Sequence, residues 1–560
     1  MDLVRFPLVR FSLHVAVALF AGSQWMAAQD YQPPQPAPAK SLADAARENR
    51  GEKAVPLGQE TRQPVKSLGQ IAEEQRSRRQ TEVRLTDNEG KELLSELDTN
   101  TDFASNDTGM PKHNAIKHQI VAQQDVKLHY AAALSGSAEA QRLARSELVL
   151  KKFGYIPRDF TMKKFMVDSA GESIAGFYDF RTKTMNLVNW ISLDQQRPIM
   201  AHELTHALQD QNFDLMTWEN RGVHSNKIEP MHVDSDQGIE TIGRRAVVEG
   251  QAMVVYIDYL LKPYGATLAN TPAALDMVRD RLTGTYDTSF VVKNAPLLFK
   301  DSAIFPYREG LMFEVELLSK GGLKLAFPDT FAHPPIDTHQ VLEPKAYLEG
   351  EKIAAVVIPD LVPILGDKYA AYDTGSMGQL DVRVMSQQFG TENDMFTITP
   401  GWKGGSYVAV RRKSVKEADL TTSDIALLYV SRWKTAETAE RFAEVYKKSL
   451  AKRVTVNGES NLEHSACTTD RKCALWAQRV DTNEGPVFIE IWPNHTVFIS
   501  QSFDEATVSR LRQTVLFQTG GSIIANAGPE LNQTLTTLPG FHAFSERVER
   551  ELLSNLQLPN

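Results

Sequence analysis

The sequence predicts an α+β protein in which a mainly helical unit over residues 110–394 precedes a small α+β domain over residues 395–518. Helical periodicity dominates the first unit, as in "SAEAQRLARSELVLKKFG" (137–154), which begins with a serine cap and ends at a glycine. Strand-like runs such as "SYVAVRR" and "IALLYVSRW" distinguish the second unit. A chain of 560 residues is long enough for two or three domains plus linkers.

The composition indicates a folded, mildly acidic protein. Hydrophobic residues make up 42% of the chain, and 61 Lys and Arg against 70 Asp and Glu give a formal net charge of -9. Binding to phosphate backbones requires a basic face, so nucleic acid is not an expected partner.

The first 28 residues are typical of a secretory signal peptide. Arg5 and Arg10 form a positive start, an apolar run follows over residues 11–21, and the small residues Ala27 and Ala28 precede polar chain. The apolar run is short for a membrane span, although an uncleaved anchor is the alternative. We therefore expect an exported protein, periplasmic or secreted, with no stable membrane insertion after cleavage.

Two further segments are predicted to lie outside the folded domains. Residues 29–109 are polar, begin with the proline-rich "YQPPQPAPAK" and lack sustained apolar periodicity, so we expect them to be largely disordered. Residues 519–560 are expected to form a loosely attached C-terminal tail.

The two cysteines of the chain, Cys467 and Cys473, are close enough to close a small local loop. An exported protein can keep a disulfide, which is the expected state of this pair. Two free thiols, or a metal pair assisted by His464, are the alternatives.

Within the helical unit, the elements before the central helices are short. "TMKKFMV" predicts a strand, and "SIAGFYDFRTKTMNLVN" predicts two short strands around a turn at 180–183. Pro198 stands where a helix can begin, because the N–H that proline lacks is not needed there. That helix is predicted to extend to about Gln211, and a second long helix covers 237–261. A further helix, "REGLMFEVELLSKGG", ends at two glycines.

The C-terminal domain shows a different order of elements. A helix is predicted for "TAETAERFAEVYKKSLAKR", a hairpin for "PVFIEIWPNHTVFISQSF" and a closing helix for "DEATVSRLRQTVLF". No catalytic pattern is evident in this domain.

The motif "HELTH" predicts a metal site on the first of the two long helices. Residues four apart share a helical face, so His202 and His206 can bind one metal ion through their ring nitrogens. Glu203 projects close by and is the candidate general base, as in other H-E-x-x-H zinc sites. The alternative is a pair of core histidines bonded to backbone or carboxylate groups.

Glu249 on the second long helix is the candidate third ligand. It falls within an apolar stripe with steps of three and four residues that includes Ala246 and Met253. A buried carboxylate must be paired or bind a metal. A salt bridge to Arg244 or Arg245 is the alternative. Gly250 beside it would allow the two long helices to approach closely.

These motifs together resemble the gluzincin zinc metallopeptidases, the thermolysin-like group. "IMAHELTHALQDQNFDL", "AVVEGQA", "FPYREGLMFEVELL" and "PPIDTHQVLEPKAY" resemble an uncharacterised branch of secreted prokaryotic gluzincin-like proteins over residues 140–350, and "GFYDFRTKTMNLV" looks like the strand region that rims their cleft. The resemblance implies a zincin-like domain with one Zn²⁺ ion, in which His202, His206 and Glu249 are the ligands and Glu203 is the catalytic base.

The sequence also departs from that pattern. Forty-two residues separate His206 from Glu249, and the position that often carries an acidic supporting residue is Met253. Candidates for supporting a zinc ligand are Asp210, Asp236 and Glu240. His224 and His232, in the long insertion, are alternative third ligands.

A peptidase also requires a donor that stabilises the oxyanion of the transition state. Tyr178, Tyr307, Arg308, His333 and His339 are the candidates, and their spacing does not rank them.

The sequence therefore predicts an exported zinc-dependent hydrolase, a metallopeptidase whose partner is a peptide or protein substrate. The alternatives are a non-catalytic zinc-containing binding or structural module and a zinc hydrolase of a non-peptide substrate. Intact Glu203 favours an enzyme, because a structural zinc does not require a base beside it.

Overall fold

The computed structural model describes residues 85–516, apart from 127, 129–136, 171–174, 220–238, 272–273, 275–294, 355, 463–465 and 469–472. The predicted signal peptide, the predicted tail and most of the predicted disordered segment lie outside the described residues. Among the described helices, none is long and apolar enough to cross a membrane.

The first part of the described chain is mainly helical, with a small sheet. Its helices are α1 (Asp87–Ser95), α2 (Leu97–Thr108), α3 (Ser137–Phe153), α4 (Met162–Ala170), α5 (Leu193–Phe213), α6 (Leu215–Glu219), α7 (Ile239–Leu261) and α8 (Leu297–Lys324). Its strands are β1 (Lys117–Val121), β2 (Gly176–Asp179) and β3 (Thr184–Val188). In this sheet β3 is central, β1 is parallel to it, and β2 is an antiparallel edge strand.

Short helices connect this part to a second sheet. A π-helical turn (Leu325–Asp329) follows α8, and then come α9 (Thr330–Ala332), α10 (Thr338–Leu342), α11 (Pro344–Leu348) and α12 (Val362–Leu365). The seven strands of the second sheet are β4 (Tyr369–Ser376), β5 (Trp402–Arg412), β6 (Ile425–Trp433), β7 (Val456–Asn461), β8 (Trp476–Thr482), β9 (Gly485–Trp492) and β10 (Thr496–Gln501). They pair antiparallel in the order β4-β5-β6-β10-β9-β8-β7. Helices α13 (Gln379–Phe389), α14 (Glu392–Ile398), α15 (Ala436–Arg453) and α16 (Glu505–Leu516) accompany them.

The buried apolar side chains form two clusters, one on each face of the second sheet. Alternate residues of a strand point to opposite faces, and along β5 Tyr407 belongs to the larger cluster and Val408 to the smaller. The larger cluster also includes the apolar residues of α5, α7 and α8. The helices that carry the histidine motif therefore share one continuous core with the second sheet.

The α+β class predicted from the sequence is confirmed, and several elements agree in detail. β2 and β3 flank the predicted turn, and β9 and β10 form the predicted hairpin. The long helix predicted over 237–261 is described from Ile239 onward.

Two predictions for the N-terminal elements were wrong. "TMKKFMV" forms helix α4 and not a strand, because the buried side chains Met162 and Met166 are four residues apart, which is helical spacing. The predicted start of order near residue 110 is also too late, because α1 and α2 precede it. Thr86 caps α1 in a capping box with Glu89.

The predicted start of the histidine-bearing helix at Pro198 was wrong as well. Helix α5 begins at Leu193 and contains Pro198 in its second turn. The turn before Pro198 is held by Gln196, which is buried and donates from Nε2 to the Ala175 and Val188 carbonyls, despite the hydrogen bond that proline cannot donate.

The second sheet extends beyond the boundary predicted at residue 395. Strand β4 lies before that residue and pairs with β5. Lys152, a buried residue of α3, also contacts residues next to the strands of this sheet. Its Nζ donates to Glu484 Oε2 at 2.9 Å, to Ser502 Oγ at 2.8 Å and to the Thr422 carbonyl at 2.9 Å. The contacts of the C-terminal sheet therefore include residues from the helical unit.

A disulfide joins Cys467 to Cys473, as the sequence predicts. His464, the alternative metal partner, lies outside the described residues.

Candidate metal centre

Helix α5 presents the histidine motif toward the protein interior. His202, Glu203 and His206 are buried, with exposed fractions of 0%, 1% and 3%. The four-residue spacing places both imidazole rings on one face, and their Nε2 atoms lie 3.1 Å apart. Two histidines thus present their metal-binding nitrogens to the same point.

Glu249 on α7 completes the group. Its Oε2 atom lies 3.2 Å from Nε2 of His202 and 3.2 Å from Nε2 of His206. Within the described residues these three side chains are the group of His, Cys, Asp and Glu whose ligand atoms could bind one ion. The structure therefore brings together all three ligands that the sequence predicts.

The electrostatics of the group follow from burial and mutual contact. Burial lowers the pKa of His202 to about 4. Burial also opposes ionisation of Glu249, but the charge of His206 and the hydrogen bonds from both histidines outweigh it and hold the pKa of Glu249 well below its usual range. Contact with the two histidines therefore favours the ionised form of the Glu249 carboxylate.

Glu203 lies beside the group without belonging to it. Its carboxylate accepts a hydrogen bond from the Tyr178 backbone N–H, and burial raises its pKa to about 8. Its Oε1 atom is buried and has no hydrogen-bond partner among the described residues. A β-carbon at Gly176 would lie 3.2 Å from Cγ of Glu203, so the glycine permits close contact between β2 and this side chain.

A second glycine contact fixes the helix that carries Glu249. A β-carbon on Gly250 would lie 2.4 Å from the carbonyl carbon of Gly310 on α8, which only glycine avoids. The close approach predicted for Gly250 is present, but its partner is α8 and not the histidine-bearing helix. Gly250 thus anchors α7 on one side while Glu249 faces α5.

One alternative partner of Glu249, Arg244, has contacts elsewhere. Arg244 donates from Nη1 to the Trp218 carbonyl at 2.9 Å, and its guanidinium lies over the Trp218 ring at 4.9 Å. The alternative ligands His224 and His232 lie outside the described residues.

The predicted supporting residues of the histidines are only partly described. Asp210 accepts from the Tyr178 hydroxyl at 2.9 Å and from Lys183 Nζ at 2.7 Å, and so connects α5 to the β2–β3 hairpin. Asp236 and the side chain of Glu240 lie outside the described residues. Met253, one turn after Glu249, is fully buried.

Two glutamines with no predicted role, Gln209 and Gln251, support His206 instead. Nδ1 of His206 lies 2.9 Å from Oε1 of Gln209, and Gln209 Nε2 donates to Oε1 of Gln251 at 3.0 Å. Gln209 is three residues after His206 on a buried helix, a position that faces the same side. This spacing is the signal that could have identified it.

Of the five candidate oxyanion donors, Tyr307 has a contact with a site residue. Its ring centroid lies 6.4 Å from that of His202. The other four are engaged or placed elsewhere: Tyr178 donates to Asp210, Arg308 to Glu309, His339 contacts Gln379, and His333 is exposed.

Comparisons with known proteins concern the other end of the chain. A family described as a domain of unknown function (DUF8575) matches residues 366–512, the part that forms the second sheet. No curated protein and no solved structure matches the chain. The matched residues do not include His202, His206 or Glu249.

Proposed function

We propose that the protein is an exported zinc-dependent hydrolase that cleaves peptide bonds, with a zincin-like catalytic unit. One observation carries this proposal: two imidazole nitrogens and one carboxylate oxygen converge within 3.1–3.2 Å, and a second carboxylate, Glu203, lies beside them.

The donor set fits zinc. Histidine nitrogens and a carboxylate oxygen bind Zn²⁺ at about 2.0–2.2 Å, so two ligands of a tetrahedral ion are separated by roughly 3.3 Å. The separations in the group are close to that value. Three protein ligands, the number found within the described residues, are also the number that catalytic zinc sites use, with a fourth position left for water or substrate.

The side chains around the group support a hydrolytic role. A zinc ion would lower the pKa of a coordinated water and polarise the scissile carbonyl. Glu203 takes up the proton of the attacking water and delivers it to the leaving amine, and its buried Oε1 has no competing partner among the described residues. Tyr307, beside His202, is the candidate donor to the developing oxyanion.

The placement of β2 supports a peptide as the substrate. β2 is an edge strand, and the backbone N–H of Tyr178 on it reaches Glu203. An extended peptide can add to the edge of a sheet through backbone hydrogen bonds. The resemblance of "HELTH" and its neighbours to gluzincins supports the same substrate class.

The signal-like N-terminus and the disulfide between Cys467 and Cys473 support export. Disulfides persist in oxidising compartments and are rare in the cytosol.

Metal analysis combined with digestion of a broad peptide library tests the proposal. We expect about one zinc per chain, cleavage of peptides, loss of cleavage with a chelator and its recovery with added zinc. Bound zinc with no cleavage of any peptide would favour a non-catalytic zinc module or a hydrolase of another substrate.

A further inference from the structure

The amide of Gln251 on α7 has a fixed orientation. Its Nε2 atom lies 2.9 Å from the Ala326 carbonyl, 3.1 Å from the Phe327 carbonyl and 2.9 Å from Oγ1 of Thr330. The two carbonyl oxygens can only accept, and the Thr330 hydroxyl has the same two carbonyls within its own donor distance. A donor is required here, so the NH₂ group of Gln251 faces this turn and its oxygen faces α5.

The orientation of Gln251 fixes that of Gln209. Nε2 of Gln209 lies 3.0 Å from Oε1 of Gln251 and 3.0 Å from the Val248 carbonyl. Both partners are acceptors, so the NH₂ group of Gln209 faces them and its Oε1 faces His206. An amide oxygen cannot donate, and Nδ1 of His206, 2.9 Å away, must therefore carry a hydrogen.

We propose that Gln209 and Gln251 are positioning residues that hold His206 with its hydrogen on Nδ1 and its Nε2 directed to the metal position. This inference rests on the proposed zinc site and explains how one of its ligands is held ready. Backbone carbonyls set the directions of these hydrogen bonds: those of Ala326 and Phe327 in the π-helical turn accept from Gln251, and that of Val248 accepts from Gln209.

Burial strengthens the hydrogen bonds that link Gln251, Gln209 and His206. Gln209, Gln251 and Thr330 are each fully buried, so water does not compete for their hydrogen bonds. The two amides are neutral and fix the ring without adding a charge beside Glu203 and Glu249. Such outer partners orient a metal-binding histidine and fix its tautomer.

Zinc affinity of variants, measured by competition with a chelator, tests the proposal. In Gln209→Met the acceptor facing Nδ1 is lost, and the dissociation constant for zinc should rise by about 10–100-fold. Gln209→Glu keeps an acceptor oxygen there, so zinc affinity should be largely retained even though the metal-free protein is destabilised by loss of the two amide donors. Gln251→Met should weaken zinc binding less than Gln209→Met, because the Val248 carbonyl still accepts from Gln209 and keeps its Oε1 directed to His206.

Gln196→Met is the matched control. Gln196 is also a fully buried glutamine of α5, and its Nε2 donates to the Ala175 and Val188 carbonyls. Among the described residues it has no hydrogen bond to a histidine. We expect this variant to lose stability and to bind zinc as the wild type does. Equal zinc affinity in Gln209→Met and Gln196→Met would overturn the proposal while leaving the zinc site itself intact.

The ring nitrogens of His206 give a readout that does not depend on zinc. ¹⁵N spectra of the metal-free protein with labelled histidines, recorded at a pH at which the His206 ring is neutral, should show the remaining proton on Nδ1 of His206 in the wild type. Absence of that proton would overturn the inference. If the wild type bound no zinc, the proposed function would fail, and this measurement would still decide how His206 is held.

Discussion

Oε2 of Glu249 lies 3.2 Å from Nε2 of His202, although 47 positions of sequence separate the two residues. The contact requires α5 and α7 to pack with their polar positions facing each other. It joins a pair of candidate ligands, placed together by helical spacing, to a third candidate ligand that only tertiary structure places beside them.

Glu249→Gln should lose zinc. The amide is an uncharged and poorer ligand for a dication, so occupancy should fall, and with it the stabilisation that zinc gives by binding only the folded state. Bound zinc per chain and melting temperature with and without chelator measure both effects. Glu314→Gln, a second buried glutamate-to-glutamine change on the neighbouring helix, is the control and should keep zinc. Equal zinc in wild type and Glu249→Gln would assign the third ligand to another residue.

Tyr307→Phe should lower turnover without releasing zinc. The change removes the hydroxyl and leaves the ring, whose centroid lies 6.4 Å from that of His202. Loss of one oxyanion donor lowers kcat by about 10²–10³-fold. Steady-state kinetics measure kcat, and metal analysis of the same preparation measures bound zinc, for the variant and the wild type. Unchanged kcat would exclude Tyr307 as the donor.

Gly250→Ala should destabilise the protein and weaken zinc binding. The new β-carbon would overlap the backbone of Gly310, which cannot move as a side-chain end can, so a loss of about 1–3 kcal/mol or more is expected. Displacement of α7 would also move Glu249. Gly458→Ala is the control, since a β-carbon there meets no atom within 4 Å. Equal unfolding free energies of the two variants in urea would contradict the close helix contact.

Glu314 should make the protein less stable as pH rises. Its carboxyl is fully buried with no partner among the described residues, and burial raises its pKa well above 4.5. From pH 4.5 upward the folded state therefore keeps a proton that the unfolded state releases, and the free energy of unfolding falls as pH increases.

The comparison of wild type with Glu314→Gln between pH 5 and pH 8, both with chelator, measures this effect. The variant lacks the titrating group. Its free energy of unfolding relative to that of the wild type should therefore be higher at pH 8 than at pH 5. A difference that is independent of pH would show that Glu314 is ionised in the folded protein.

Local sequence patterns predicted those features of the structure that residues close together in the chain determine. The spacing of His202 and His206 sets a common face on any helix, and the three-and-four steps around Glu249 identify it as an inward position. The β2–β3 and β9–β10 pairs follow from alternating apolar residues on either side of a turn.

The features that the sequence did not predict depend on packing between segments that are distant in the chain. α1 and α2 are too polar for an apolar stripe to predict them, although the Thr86–Glu89 capping box was a readable signal for the start of α1. Gln251 contacts Gln209 and Thr330 only when α5, α7 and the π-helical turn pack together, and no local pattern distinguishes it from other helical glutamines.

Peptide hydrolysis by Glu203→Gln at matched zinc content is the decisive experiment for the role of Glu203 as the base. Gln is nearly isosteric but cannot accept a proton, while His202, His206 and Glu249 remain to bind zinc. We expect full zinc occupancy and a fall in turnover of about 10²–10⁴-fold or more. Unchanged hydrolysis by a zinc-loaded Glu203→Gln protein would contradict the assignment of Glu203 as the base, and with it the proposed mechanism.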